Sequence, residues 1–185
     1  MSLILNSILE SIGTVSLNST NIIMLVIPYN FNSPPSYDSD GVKVTLPQNG
    51  IASSSCNDTR LSQVLYKGSI YERLAPYGFQ QAANSLALEL IQCEVRQSVS
   101  GLQDNIIIEI PIDPGDVFAV EKAESIRNGT SLLEEAACSY YDPVKDLISS
   151  EGCELIEVRE SHFKCGCNHM TDFMMFLRTG GDVLI

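Results

Sequence analysis

The amino-acid sequence predicts a mostly β protein: an antiparallel β-sandwich of many short strands, with one or two short helices and disulfide staples. Short runs rich in Val, Ile and Leu recur between Gly, Pro, Asn and Asp residues, a spacing typical of strands and turns. The six cysteines are an even number, as a disulfide framework requires. Of the 185 residues, 44% are hydrophobic and 18% are charged, which indicates a folded globular chain rather than a disordered one.

The charge balance restricts the classes of partner. The chain carries 23 Asp and Glu residues against 11 Lys and Arg, a net charge of −12. Nucleic-acid binding needs clustered basic side chains, so this composition argues against such a partner, and it fits an acidic ectodomain. No run approaches the roughly 20 apolar residues of a membrane span, and the N-terminal region lacks the basic start of a signal peptide. We therefore expect the chain to be a piece of a larger protein.

The N-terminal part predicts a helix followed by a strand. Residues 1–20 are expected to form a helical lead-in, because apolar side chains recur at helical intervals at Leu3, Ile4, Ile8, Ile12 and Val15. Residues 21–27 are rich in Ile and precede Pro28, which indicates a buried strand. Residues 32–41 combine prolines, aspartates and a glycine and are predicted to be a loop.

From residue 41 onward the chain reads as short strands separated by turns, and residues 21–178 are assigned to one sandwich. The predicted strands span residues 42–46, 61–66, 86–93, 105–110, 117–120, 132–140, 153–158, 162–168 and 171–177. No internal repeat or low-complexity segment divides this region. Residues 179–185, which include Gly180 and Gly181, are expected to be an exit linker toward a membrane segment.

Chemically distinctive residues concentrate in one stretch, Cys165-Gly166-Cys167-Asn168-His169-Met170-Thr171-Asp172-Phe173. Read as a strand, it points alternate residues to one side, namely Cys165, Cys167, His169, Thr171 and Phe173. Two cysteines, a titratable base and a hydroxyl nucleophile then stand in a row. A histidine or threonine alone in a strand is usually structural. The flanking cysteines, with Cys138 and Gly152-Cys153 upstream, favour a functional site.

This pattern resembles the GPCR-proteolysis-site (GPS) motif that closes the GAIN domain of adhesion G-protein-coupled receptors and polycystin-like proteins. The family pattern is Cys, an aromatic residue, Gly-Cys, then Cys-x-Cys-x-His-Leu-Ser/Thr-x-Phe, and here the motif covers residues 138–177. Residues 41–112 are similar, more diffusely, to the early strands of the β-rich GAIN subdomain. Met170 replaces the family's Leu, and Tyr141 and Ile148 stand where the family usually has tryptophan.

The resemblance implies that the chain cleaves itself once, between Met170 and Thr171, without a cofactor or metal. His169, whose ordinary pKa lies near neutrality, would act as general base toward the Thr171 hydroxyl. The Thr171 oxygen would attack the Met170 carbonyl carbon, and an N-to-O acyl shift would give an ester that water hydrolyses. Such a protein is an enzyme only in the sense of single-turnover autoproteolysis.

The resemblance also implies how the cysteines pair. Cys165 and Cys167 share a strand face, and a bond between them would distort an extended strand. The implied bridges, the third obtained by elimination, are Cys138–Cys165, Cys153–Cys167 and Cys56–Cys93. The alternative is a zinc site in a reducing compartment, made by Cys153, Cys165, Cys167 and His169. Structural zinc sites usually use two Cys-x2–4-Cys knuckles, which this chain lacks.

The segment after Thr171 is predicted to be a core strand with two apolar faces. Its alternating sets are Phe173, Met175 and Leu177 on one face, and Met174 and Phe176 on the other. The resemblance implies that residues 171–177, including Asp172, stay in place after cleavage. In adhesion receptors such a strand acts as a tethered agonist for the adjoining transmembrane domain, and a plain core strand is the alternative.

Three Asn-x-Ser/Thr sequons, at Asn18, Asn57 and Asn128, together with the cysteine pattern favour the secretory route. We expect the extracellular face of the plasma membrane, with the chain's own C-terminal strand, a transmembrane domain and an unidentified extracellular ligand as partners. The rival function is an uncleaved structural, adhesion or force-transmitting sandwich.

Overall fold

Two antiparallel β-sheets face one another across a shared core in the computed structural model, which describes residues 15–29, 36–39, 41–47, 51 and 58–179. Within these residues the first sheet contains β1 (Val15–Asn18), β2 (Ile22–Pro28), β5 (Thr59–Lys67), β6 (Phe79–Gln92), β7 (Val95–Gln97), β9 (Ala136–Asp142), β10 (Leu147–Ser149) and β13 (Asp172–Arg178). The second contains β3 (Ser36–Ser39), β4 (Val42–Thr45), β8 (Ile106–Pro111), β11 (Cys153–Val158) and β12 (His162–Cys167). This architecture confirms the predicted mostly β fold class.

Strand β13, the last strand among the described residues, lies inside the first sheet rather than at its edge. The strand order is β1-β2-β5-β6-β13-β9-β10, and β7 pairs with the far end of β6. Phe173 is in register with Leu86 of β6 on one side and with Tyr140 of β9 on the other. Strand β13 therefore has backbone partners along both edges, and removing it would divide the sheet.

The core forms where alternate side chains of both sheets meet. In the second sheet, ordered β11-β12-β8-β4-β3, strand β8 buries Ile106, Ile108 and Ile110 and turns its intervening residues outward. Leu86 and Leu88 of β6 belong to the same buried cluster from the opposite sheet. This alternation is the period-two pattern expected of sandwich strands.

Residues 117–120, predicted to be a strand, instead begin helix α1 (Val117–Arg127). The Asp116 side chain accepts a hydrogen bond from Ala119 N at 3.0 Å and caps the helix. Ala119, Ala123 and Ile126 are buried at helical spacing. The predicted strand 132–140 likewise starts too early, because Leu133–Glu135 form a 3-10 turn before β9. The structure agrees with the prediction of one or two short helices, but the described helix lies at Val117–Arg127 and not in the N-terminal lead-in.

The predicted helical lead-in over residues 1–20 is wrong for its last part, where Val15–Asn18 form strand β1. The register runs from Val15 opposite Val26 to Asn18 opposite Ile23, so the backbone of β1 pairs along β2. Pairing with an open sheet edge overrides the helical spacing of the apolar residues. Residues 1–14 and the expected exit linker from residue 180 lie outside the described part. Within the described part, no helix has the length and apolarity to cross a bilayer.

Candidate active site

Residues 165–173 do not form the one continuous strand on which the predicted alternation of their side chains depends; the chain breaks near the boundary between the predicted strands 162–168 and 171–177. Strand β12 ends at Cys167 in the second sheet, and β13 begins at Asp172 in the first, so residues 168–171 form a turn that carries the chain from one sheet to the other. The alternation of side chains therefore holds within each strand but not across the turn. The chain has to leave the extended conformation here because the two strands belong to different layers.

Backbone hydrogen bonds hold this turn on several sides. Asn168 N donates to Gly152 O, and Met170 N donates to Val99 O, each at 2.9 Å. Leu88 N donates to Thr171 O at 3.0 Å. Each of these bonds joins the turn to a different part of the chain, so the backbone around the Met170–Thr171 bond has a defined position.

The Met170–Thr171 bond lies where strand β6 changes its neighbour. Residues 90–92 of β6 pair with β7, whereas β13 pairs with β6 from Ala87 toward its N-terminal end. The Leu88–Thr171 hydrogen bond lies between these two ladders. The Met170–Thr171 peptide bond thus lies just before the start of β13, next to the backbone of Leu88 in β6.

Two disulfides brace the turn, and their pairing is the one that the resemblance implies. Cys138–Cys165 joins β9 to β12 and so links the two sheets, with a Cα–Cα distance of 6.0 Å. Cys153–Cys167 joins neighbouring residues of β11 and β12. A zinc site at these residues is excluded, because the thiolates that would bind zinc are used in the bridges. Cys93 is also disulfide-bonded, and its predicted partner Cys56 lies outside the described residues.

His169 lies at the end of the core between two aromatic rings. Its ring centroid is 4.4 Å from that of Tyr140, in an edge arrangement, and 5.6 Å from that of Phe173. Nδ1 lies 3.1 Å from Asn168 Oδ1. Nε2 is buried and has no hydrogen-bond partner among the described residues. Burial lowers the pKa of His169 below its ordinary value of 6.5, so the imidazole is neutral at pH 7 with one nitrogen free to accept a proton.

His169, Met170 and Thr171 line one open groove of about 430 Å³, together with residues 98–100, 140–143, 151–152 and 168. Within the described structure, no hydrogen bond joins His169 Nε2 to the Thr171 hydroxyl. The structure thus brings the predicted base and nucleophile into one groove without the contact that proton transfer needs. A rotation of side chains within the groove would have to make that contact before any reaction.

Several residues of the site are not among those predicted from the sequence. Tyr140 could have been found, because it lies two residues after Cys138 and therefore on the same face of β9. Val99 and Leu88 supply backbone hydrogen bonds to the turn from distant parts of the chain, and no residue type in the sequence signals such contacts. Asn168 lies inside the motif, but its side-chain contacts depend on the turn.

The segment that follows the turn is buried on both faces, as predicted. All five residues of the stretch 173–177 are at most 2% exposed. Phe173, Met175 and Leu177 belong to the core between the sheets. On the outer face, Tyr71 OH donates to Asp172 Oδ2 at 2.6 Å from the connection between β5 and β6. Burial and this carboxylate raise the pKa of the Tyr71 hydroxyl, so Tyr71 remains a donor.

The sandwich, the bridged turn and the buried last strand define a GPS-bearing β-sandwich module, and the comparison with protein families agrees. The family described as GPS, GAIN subdomain B, matches residues 11–179. The chain therefore belongs to the GAIN subdomain B family. It is also similar to the human adhesion G protein-coupled receptor L4, with 26% identity over 84 residues. The matched region covers 42% of this chain and 12% of that receptor.

Proposed function

We propose that this chain is an extracellular autoproteolytic module that cleaves itself between Met170 and Thr171. The observation that carries the proposal is the neutral imidazole of His169, whose buried Nε2 has no partner, in the groove that also contains the scissile bond. A free base, a hydroxyl two residues away and a backbone held by hydrogen bonds are the components that an acyl shift requires.

In the proposed reaction, His169 Nε2 takes the proton of the Thr171 hydroxyl while Oγ1 attacks the Met170 carbonyl carbon. The tetrahedral intermediate collapses with cleavage of the C–N bond, and the departing nitrogen takes the proton back from the imidazolium. Water then hydrolyses the resulting ester, which leaves a Met170 carboxylate and a Thr171 amino terminus with its hydroxyl restored. The hydrogen bonds and bridges around the turn would hold the reacting groups at close range and lower the entropic cost.

The test is a denaturing gel and a mass spectrum of the purified chain, with and without Thr171→Ala. The natural chain should give two fragments that begin and end at the Met170–Thr171 bond, and Thr171→Ala should give one intact chain. The matched control is Thr179→Ala, because among the described residues the one hydrogen bond of Thr179 is from its backbone N–H to Gly78 O. Fragments in Thr171→Ala, or none in the natural chain, would contradict the proposal.

A second candidate is an uncleaved structural or force-transmitting module of the same family. The missing hydrogen bond between His169 and Thr171 favours this candidate. The Met170 carbonyl oxygen also accepts no hydrogen bond from the described residues. None of them is therefore in place to stabilise the oxyanion that would form on this oxygen. A single band on the denaturing gel from the natural chain would support it.

The proposal places the module outside the cell, as the ectodomain of a membrane protein. The similarity to an adhesion receptor and the bridges of an oxidising compartment support this location. Asn18 and Asn128 are exposed, as a glycosylation site must be, and Asn57 lies outside the described residues. After cleavage, residues 171–177 would remain as a tethered segment that could act on an adjoining transmembrane domain. An extracellular ligand would complete the proposed partners.

A further inference from the structure

We propose that Asn168 is a positioning residue that fixes the tautomer of His169, and that Gly152 makes this possible by leaving room for the Asn168 side chain. The inference rests on the proposed autoproteolysis for its purpose, but it concerns a feature that can be measured without cleavage. Asn168, the residue before the histidine, and Gly152, the glycine of the Gly-Cys pair, then both serve the same imidazole.

The first observation is the hydrogen bond beside the imidazole. His169 Nδ1 lies 3.1 Å from Asn168 Oδ1. An amide oxygen only accepts hydrogen bonds, so Nδ1 must carry the proton in this contact. In a neutral imidazole the other nitrogen, Nε2, is then unprotonated and becomes the basic atom. Nε2 is also the ring nitrogen that is buried without a hydrogen-bond partner among the described residues, and His169 is one of the residues that line the groove of the scissile bond.

The second observation is the fit between Asn168 and Gly152. Gly152 has a φ of +75°, and the Asn168 amide lies directly over its Cα. A Cβ on Gly152 would stand 3.0 Å from Asn168 Cγ and would overlap Oδ1. Asn168 N also donates to Gly152 O at 2.9 Å. Both the backbone conformation and the space at residue 152 therefore require glycine.

The third observation is that a covalent bond holds the two residues together. Cys153 and Cys167, the chain neighbours of Gly152 and Asn168, form a disulfide with a Cα–Cα distance of 4.2 Å. Leu102 N donates to Asn168 O at 2.9 Å from a third part of the chain. The Asn168 side chain thus packs against Gly152, and two hydrogen bonds hold the Asn168 backbone. The Gly152-Cys153 and Cys167-Asn168 pairs therefore act together to orient the His169 imidazole.

The direct test is the tautomer of His169, measured by nitrogen NMR in a chain with Thr171→Ala, which cannot cleave. The second histidine of the chain, His162, is removed by His162→Gln for assignment. We expect the Nδ1–H tautomer with an unprotonated Nε2, and a shift toward Nε2–H when Asn168→Ala is added. A dominant Nε2–H form in the presence of Asn168, or an unchanged spectrum in Asn168→Ala, would overturn the inference whether or not the natural chain cleaves.

The kinetic test compares cleavage rates by pulse labelling in otherwise natural chains. Asn168→Ala should slow cleavage at least about tenfold, a part of the roughly hundredfold or greater contribution of a positioned general base. Asn168→Asp keeps an acceptor oxygen for Nδ1–H and should restore most of the rate. If Asn168→Asp is as slow as Asn168→Ala, Asn168 is only structural. Cleavage of the natural chain combined with an unaffected Asn168→Ala would leave the proposed function standing and reject this inference.

A third experiment tests the role of Gly152 by comparing two glycine-to-alanine substitutions. Gly152→Ala should displace Asn168, shift the tautomer and slow cleavage. Gly129 has a similar φ of +73° but open space around the position of a Cβ, so Gly129→Ala imposes comparable backbone strain without a clash. Gly129→Ala should leave tautomer and rate unchanged. Equal effects of the two substitutions would show that backbone strain, rather than displacement of Asn168, explains the slower cleavage.

Discussion

At the scale of single residues, His169 shows how a local environment selects one chemical form. The rings of Tyr140 and Phe173 pack against the imidazole, and its partial burial disfavours the charged form. Asp142 and Glu151 are the carboxylates that line the same groove, and Lys145 pairs with both, which reduces their field at the imidazole. Burial and the pairing of these carboxylates with Lys145 together favour the neutral form of His169 at neutral and mildly acid pH.

This balance predicts how cleavage depends on pH. Because burial lowers the pKa of His169, the rate should stay high as pH falls through 6.5 and should reach half its maximum only at a lower pH. The unfolded chain takes up this proton first, so the free energy of unfolding should also begin to fall below about pH 6.5. The measurement is the cleavage rate of precursor that is folded under acid conditions and then transferred to a series of buffers. A midpoint at or above 6.5 would contradict the expected burial effect.

At the scale of elements, strand β13 depends on a cover as well as on its sheet neighbours. Met174 and Phe176 face away from the core between the sheets and are still at most 1% exposed. Part of the connection between β5 and β6 lies at this outer face: Tyr71 is hydrogen-bonded to Asp172, and Pro76 lines a small cavity together with Phe176. Gln81 Oε1 accepts from Tyr71 N at 2.7 Å and ties the cover to β6. The connection thus covers the start of the segment that follows the scissile bond.

Removal of one hydroxyl tests this cover. Tyr71→Phe should lower the free energy of unfolding by about 1–2 kcal/mol, because Asp172 loses a donor at a half-buried position. The measurement is urea unfolding in the Thr171→Ala background, which keeps every chain intact. Tyr77→Phe is the matched control, since Tyr77 belongs to the same connection and is fully exposed, and it should have no effect. Equal unfolding midpoints for the two variants would refute a stabilising contact between Tyr71 and Asp172.

At the scale of the whole molecule, the two sheets and their bridges make the C-terminal strand a part of the fold that peptide-bond cleavage would not release. All six cysteines precede Thr171 in the sequence, so no disulfide could join the fragments. Retention would rest on the two backbone ladders of β13 and on the burial of residues 173–177. Each of these apolar side chains contributes on the order of 1.5–3 kcal/mol when fully buried.

The cleaved protein should therefore behave as one particle in native buffer. Both fragments should elute together in size-exclusion chromatography and should separate on a denaturing gel run without reductant. The small fragment should leave only at denaturant concentrations that unfold the sandwich, because its removal divides the first sheet. Elution of the C-terminal fragment on its own in native buffer would mean that β13 is held more weakly than its burial implies.

Local residue types account for the parts of the fold that could be predicted. The short apolar run at residues 105–110 indicated a strand, which the structure contains as β8, and the two apolar faces of residues 173–177 indicated a core strand. The prediction failed where a local signal competed with a distant partner. Val15 continues the helical spacing of the apolar residues before it, but Val15–Asn18 pair with β2. Residues 117–120 have β-type side chains but follow the capping residue Asp116.

The sequence by itself determined the class of fold, the family motif, the candidate base and nucleophile, and the buried character of the last strand. These properties follow from residue type and spacing, which act over a few neighbouring positions. Only the tertiary structure decided that the motif breaks into a turn between two sheets, that Tyr140 and Phe173 pack against the imidazole, and that Gly152 leaves room for Asn168. Those features depend on how strands distant in the chain pair and pack, and the free energy of such contacts is not encoded in any single segment.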